Sequence, residues 1–139
     1  MPRVEGNGKR WNGDPKMNVL PIKAAPLVPH AGGARSHPEL PFFDDGDAKL
    51  WENWLRAHRL EVMRVWMEDD ARAVDSYRRF LAGDLVGSLS EWQPCKPDGD
   101  QAWFLLAVFD GGEGPCAYFV RRVSYFPYCA DAQGVSAIF

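Results

Sequence analysis

Chemistry in a chain of this kind would have to come from three cysteines, three histidines, one acidic triplet and one glycine-rich loop. Cys95, Cys116 and Cys129 are odd in number, and none stands in a C-x-x-C pair or near a histidine at ligand spacing. They read as reduced thiols rather than as a disulfide framework or a zinc site. His58 sits four residues from Trp54 and from Val62, so on a helix it lies on the apolar face, where a hydrogen-bonded core histidine is expected before a general base. His30 and His37 fall in a segment rich in proline and glycine, which holds catalytic geometry poorly. Glu68, Asp69 and Asp70 are adjacent, so on a helix they point in different directions and cannot share a metal ion or a proton. They mark a helix break instead. Asp110-Gly111-Gly112-Glu113-Gly114 has the glycines of a phosphate loop but lacks the Lys-Ser/Thr ending and does not join a strand to a helix. Its two carboxylates supply too few oxygens for calcium. The sequence therefore implies no cofactor, no metal and no assembled catalytic set.

The 139 residues are 46% hydrophobic and 13% aromatic, with a formal charge of -3. One core of useful size fits that length, and large rings must fill much of it. An acidic balance disfavours non-specific nucleic-acid binding, which needs concentrated Lys and Arg to neutralise phosphates. No run approaches the roughly 18 apolar residues of a membrane helix, and the N-terminus has no apolar signal core. A cytoplasmic protein that does not bind membranes is the expectation.

Around these residues the pattern predicts an arm, a helical region and a hairpin. The first forty residues hold six of the eleven prolines, with Gly32-Gly33 and a mildly basic balance. Residues 1–40 therefore read as an extended arm, ordered only where it packs on the body or on a partner, with structured chain beginning near Met17–Ile22. Residues 41–139 read as a single domain. Asp47 is the expected cap of a long helix or helix pair reaching Ala82, with Trp51, Trp54, Leu55, Val62, Val65, Trp66, Tyr77 and Phe80 on its apolar face and Gly83 as its stop. Its charges of both signs are interspersed and read first as a solvated face. A short strand is expected near Leu89 to Trp92. The strongest signal is Trp103 to Val120: two apolar runs rich in aromatic and branched residues flank a glycine-rich turn ending in Pro115, which is a β-hairpin. Strict alternation places Trp103, Leu105, Ala107 and Phe109 on one face and Phe104, Leu106 and Val108 on the other. The second strand is expected to continue to Tyr125, and the tail Val135 to Phe139 to form an edge strand. Both hairpin faces are apolar, so each needs a cover: the helix, the arm, the tail or another chain.

The C-terminal third, through Trp92-Gln93-Pro94, Trp103-Phe104-Leu105-Leu106, Asp110, Gly114-Pro115 and Val120-Arg121-Arg122, resembles short phage- and prophage-encoded accessory proteins of unknown function. It departs from them at Gly111-Gly112, where a more polar turn is usual. The resemblance implies a small protein of a mobile element that acts by binding a host protein; no site residue carries over with it.

The expectation is thus an α+β domain, a long helix or helix pair packed on a small antiparallel sheet built on the C-terminal hairpin. Its expected function is non-catalytic protein binding, in the form of an inhibitor of a host enzyme or defence complex. Trp51, Trp54, Trp66, Trp103 and Tyr118 are the candidate anchors, most of them expected to be core. The alternatives are a nucleic-acid-binding regulator using Arg56, Arg59, Arg64, Arg78 and Arg79, which requires those arginines to share one exposed face, a virion or other self-assembling subunit, and a small enzyme built on Cys116 or His58.

Overall fold

A computed structural model describes residues 22–44, 46–97 and 102–123. The fold is α+β: three helices pack on a five-stranded, wholly antiparallel sheet. Strands β1 (Val28–Pro29) and β2 (Arg35–Ser36) are joined by a 3-10 turn at Ala31–Gly33. Helix α1 (Ala48–Ala57) leads into strand β3 (Leu60–Trp66), and a second 3-10 turn (Met67–Asp69) precedes helices α2 (Val74–Leu81) and α3 (Leu85–Glu91). The hairpin of β4 (Phe104–Asp110) and β5 (Pro115–Arg122) closes the described chain. The spatial order is β1-β2-β4-β5-β3, so the hairpin is central.

The hairpin turn obeys its glycines. Gly111 N–H donates to Gly114 C=O at 2.9 Å and Gly112 N–H to the Asp110 carboxylate at 3.0 Å, while Gly112 (φ 91) and Gly114 (φ 136) occupy conformations that side chains resist.

The fold departs from the sequence pattern at four places, three of them outside the hairpin. The helical span from Asp47 to Ala82 is broken by a strand: Leu60–Trp66 pairs along its whole length with β5, from Leu60 opposite Arg122 to Trp66 opposite Cys116. Val62, Val65 and Trp66 fit a helical repeat, but they are branched or aromatic residues that a pleated ladder accommodates equally well. The chain leaves α1 through Arg59 at φ 55, a left-handed conformation taken here without the glycine that usually announces it. Leu85–Glu91, which overlaps the strand expected near Leu89 to Trp92, is helical because Asp84 caps it, accepting from Gly87 N–H at 2.9 Å. Asp47 does precede α1, yet its carboxylate turns back to accept from Asp44 N–H at 2.8 Å.

The strict alternation in β4 fails at Leu106. The register moves from Leu105 opposite Phe119 to Ala107 opposite Tyr118, leaving Leu106 as an extra residue. Its carbonyl accepts from His37 N–H at 2.8 Å. Past the bulge the faces exchange. Phe104, Leu106, Ala107 and Phe109 look toward one core, and Leu105 and Val108, with Trp103, toward the other.

Both faces are covered by the chain itself. Trp51, Trp54 and Leu55 of α1, with Ile22, Leu40 and Phe43, cover Tyr118, Val120 and Phe109. On the opposite face Met67, Ala73, Leu89 and Trp92 close over Val108, Ala117 and Phe119, with Tyr77 of α2 and Leu85 of α3 at the margin. The segment from Ile22 to Leu40 thus belongs to the packed body, contributing two strands and buried side chains. His37 ties it down: its Nδ1 accepts from Glu39 N–H at 3.0 Å, so its Nε2 carries the proton and donates to the Lys23 carbonyl at 2.6 Å. The start near Met17, the strand beyond Val123, the tail strand at Val135 to Phe139, and Cys129 lie outside the described residues. Among those described, no helix is long and apolar enough to cross a membrane.

Candidate partner-binding site

Two folding details bring the site together. Leaving α1 through Arg59 turns the chain back so that β3 runs beside β5 under the helix, and the β3–β5 register sets Arg64 directly opposite Tyr118. A cleft of about 400 Å³ opens there, lined by Trp51, Glu52 and Leu55 of α1, Val62 and Arg64 of β3, and Tyr118 of β5. Its floor is aromatic. Trp51 stacks on Tyr118 with ring centres 5.4 Å apart and on Trp54 at 5.9 Å, and Phe43 and Phe109 meet these rings edge-on. Such contacts fix the rings beyond what simple burial does.

Arg64 is the polar element of the cleft. Its guanidinium lies 5.4 Å from the centres of both the Tyr118 and Trp66 rings, and Nη2 donates to the Tyr118 hydroxyl at 3.0 Å. The side chain is exposed but held in place by those rings. Burial raises the Tyr118 phenol above its ordinary value, and the Arg64 charge and hydrogen bond oppose that rise. Behind the floor, Cys116 is fully buried. Desolvation pushes its thiol up to about 12, with Arg64 lowering it and Asp110 raising it. A neutral thiol, not a thiolate, therefore faces this core at physiological pH.

The structure gathers five of the candidate residues here, Trp51, Trp54, Trp66, Tyr118 and Arg64, and scatters the rest. Trp54 is wholly core and Trp66 half-buried. Trp103 belongs to the opposite face, where the Arg121 guanidinium sits 4.6 Å over its ring and pairs with Glu61. That face carries a broader, shallower hollow of about 930 Å³ lined by Met63, Val65, Asp70, Arg72, Cys95 and Trp103 among others. Arg56 and Arg59 are exposed at the end of α1, whereas Arg78 and Arg79 are exposed on α2 across the sheet. Arg78 lies 3.9 Å from Asp75, and Arg79 lies 2.8 Å from Glu91 and 4.0 Å from Asp84. The five arginines therefore do not form one surface.

His58 closes α1, its N–H bonded to the Trp54 carbonyl at 3.1 Å and its ring 4.7 Å from that of Trp54. Asp70 was legible only as part of a helix break. It is instead a buried knot, 8% exposed, accepting from Trp92 Nε1 at 2.9 Å, Arg72 N–H at 3.0 Å and Cys95 N–H at 3.2 Å. Glu52, Leu55 and Val62 were missed as cleft residues, because only the β3–β5 register places a strand position under the helix. Among the described residues no group of three or more His, Cys, Asp or Glu side chains is arranged to hold a metal ion.

Comparison with known proteins gives no match. No family model fits the chain, and no curated protein or solved structure is similar to it.

Proposed function

We propose that this is a non-catalytic protein-binding module whose cleft grips a short segment of another protein. The observation that carries the reading is the preset Arg64: an exposed guanidinium fixed over Trp66 and Tyr118 at the mouth of a ring-floored cleft. A planar cation over rings recognises a carboxylate or a further aromatic ring, and little side-chain freedom is left to lose on binding. Arginine and aromatic residues in such surroundings are the residue types that dominate interface energetics. The physiological setting, as the resemblance of the C-terminal third implies, is a bacterial mobile element acting on a host enzyme or defence complex.

The test is affinity capture from bacterial lysate with and without nuclease, comparing the unaltered chain with Arg64→Glu and Tyr118→Phe. One stoichiometric protein, retained after nuclease and lost with Arg64→Glu while circular dichroism stays unchanged, is the expected result. Capture that disappears with nuclease in all three transfers the case to nucleic acid. Capture indifferent to Arg64 removes the cleft from the function.

A further inference from the structure

We propose that β3 is a self-pairing edge, joining two copies of this chain through a two-fold axis at Met63 into one continuous ten-stranded sheet. This goes beyond the cleft reading, since the dimer forms whether or not the cleft takes a partner.

The two sheet edges are built differently. The β1 edge is two residues long and one of them is Pro29, which has no amide proton to offer a further strand. β3 is seven residues long and, among the described residues, pairs on one side only. The ladder decides which backbone groups it leaves outward. Val123 N–H donates to the Arg59 carbonyl at 2.9 Å, so Arg59 and Val123 form a hydrogen-bonded pair, and with the observed register Glu61, Met63 and Val65 also turn their amide groups toward β5. Leu60, Val62, Arg64 and Trp66 present theirs to the open side.

Those four positions suit a second β3 in antiparallel array. With the axis at Met63, Leu60 meets the partner's Trp66 and Val62 meets the partner's Arg64 in hydrogen-bonded pairs, giving about eight backbone bonds over the whole strand. Met63, a large apolar side chain left 44% exposed, then meets its own copy in the closer, non-hydrogen-bonded pairing. Glu61 faces the partner's Val65, so no like charges oppose. Moving the axis to Arg64 or Glu61 sets two guanidiniums or two carboxylates against each other, and moving it to Val62 shortens the overlap. The Met63 register alone combines full length with charge compatibility.

The pairing also completes the cleft. Val62 is one of its lining residues, and the partner's Arg64 stands beside Val62 on the same face of the sheet. Each cleft thereby gains a second guanidinium from the other copy, making its mouth selective for an acidic segment.

Sedimentation of the purified full chain over a dilution series tests this without any lysate, so it fails or succeeds separately from the cleft reading. The expected result is a dimer that Val62→Pro converts to a monomer, because the Val62 amide points outward and its loss breaks no bond to β5. Should Val62→Pro not fold, Met63→Cys in a Cys95→Ser, Cys129→Ser background decides. Alpha carbons about 4.5 Å apart in a non-hydrogen-bonded pair are within disulfide reach, so mild oxidation gives a covalent dimer, whereas Val65→Cys in the same background does not. A monomer at every concentration overturns the proposal and leaves the edge to the chain's own termini or to another protein. A dimer or larger assembly that Met63→Cys fails to cross-link overturns it equally.

Discussion

The buried thiol of Cys116 predicts a measurable alkaline instability. Its pKa in the folded protein is pushed from the ordinary 9.0 up to about 12, chiefly by desolvation, because Sγ is sealed between the hairpin turn and Trp66. Below pH 9.0 both folded and unfolded chains keep the proton, and the thiol contributes its full stability. As pH rises further the unfolded chain ionises while the folded one does not, so stability is lost progressively until the folded pKa is reached. At about 1.4 kcal/mol for each pH unit, the loss is roughly 2 kcal/mol near pH 10.5 and approaches about 4 kcal/mol near pH 12. Other groups titrate in the same range, Tyr118 among them with its raised phenol pKa, so the quantity to measure is a difference. Urea unfolding followed by tryptophan fluorescence, at pH 8 and near pH 10.5, is compared between the parent chain and Cys116→Ala. Cys116→Ala leaves a small cavity whose cost does not depend on pH, and it removes the alkaline term. The parent is expected to lose roughly 2 kcal/mol more than Cys116→Ala between the two conditions. Equal losses would refute the reasoning, as would labelling of Cys116 in the folded protein at the rate of the exposed Cys95.

Further outcomes follow from local geometry at Asp70 and in the hairpin turn. Asp70→Ala removes the acceptor of three hydrogen bonds and leaves the Trp92 indole N–H buried without a partner, which lowers the urea midpoint by the equivalent of about 2–4 kcal/mol; Asp70→Asn, which keeps one acceptor oxygen, costs less. In the hairpin turn, Gly112→Ala meets no neighbouring atom within 4 Å and costs only the left-handed conformation, about 1–2 kcal/mol by thermal unfolding. Gly111→Ala instead places a methyl carbon 2.9 Å from Cys116 Sγ and 3.1 Å from the Trp66 ring, so it costs about 1–3 kcal/mol through overpacking and additionally shifts the fluorescence of Trp66.

The hairpin and its turn were legible because branched and aromatic runs and glycines carry local signals, and α1 because its tryptophans recur at helical spacing. β3 was not legible. Val62, Val65 and Trp66 satisfy either repeat, and the turn at Arg59 has no glycine to announce it. Pairing with a strand 50 to 62 residues away decides the matter, and a local window cannot contain that. The bulge at Leu106 was hidden for a related reason, since it is held by the His37 N–H from the arm. Of the cleft, the residue types were recognised but not their grouping. Arg64 looks like the other arginines of its region until the register sets it opposite Tyr118.

The order of strands also has a consequence for the chain as it is made. β2 pairs with β4, and β3 with β5, so both reach the sheet through strands that come later in the chain. Until residues 104–122 emerge, β3 has no ladder and the tryptophan face of α1 has no sheet to cover. The body therefore assembles only once the hairpin has been made, and a chain terminated before β5 loses β3, its cover and the cleft together rather than one strand.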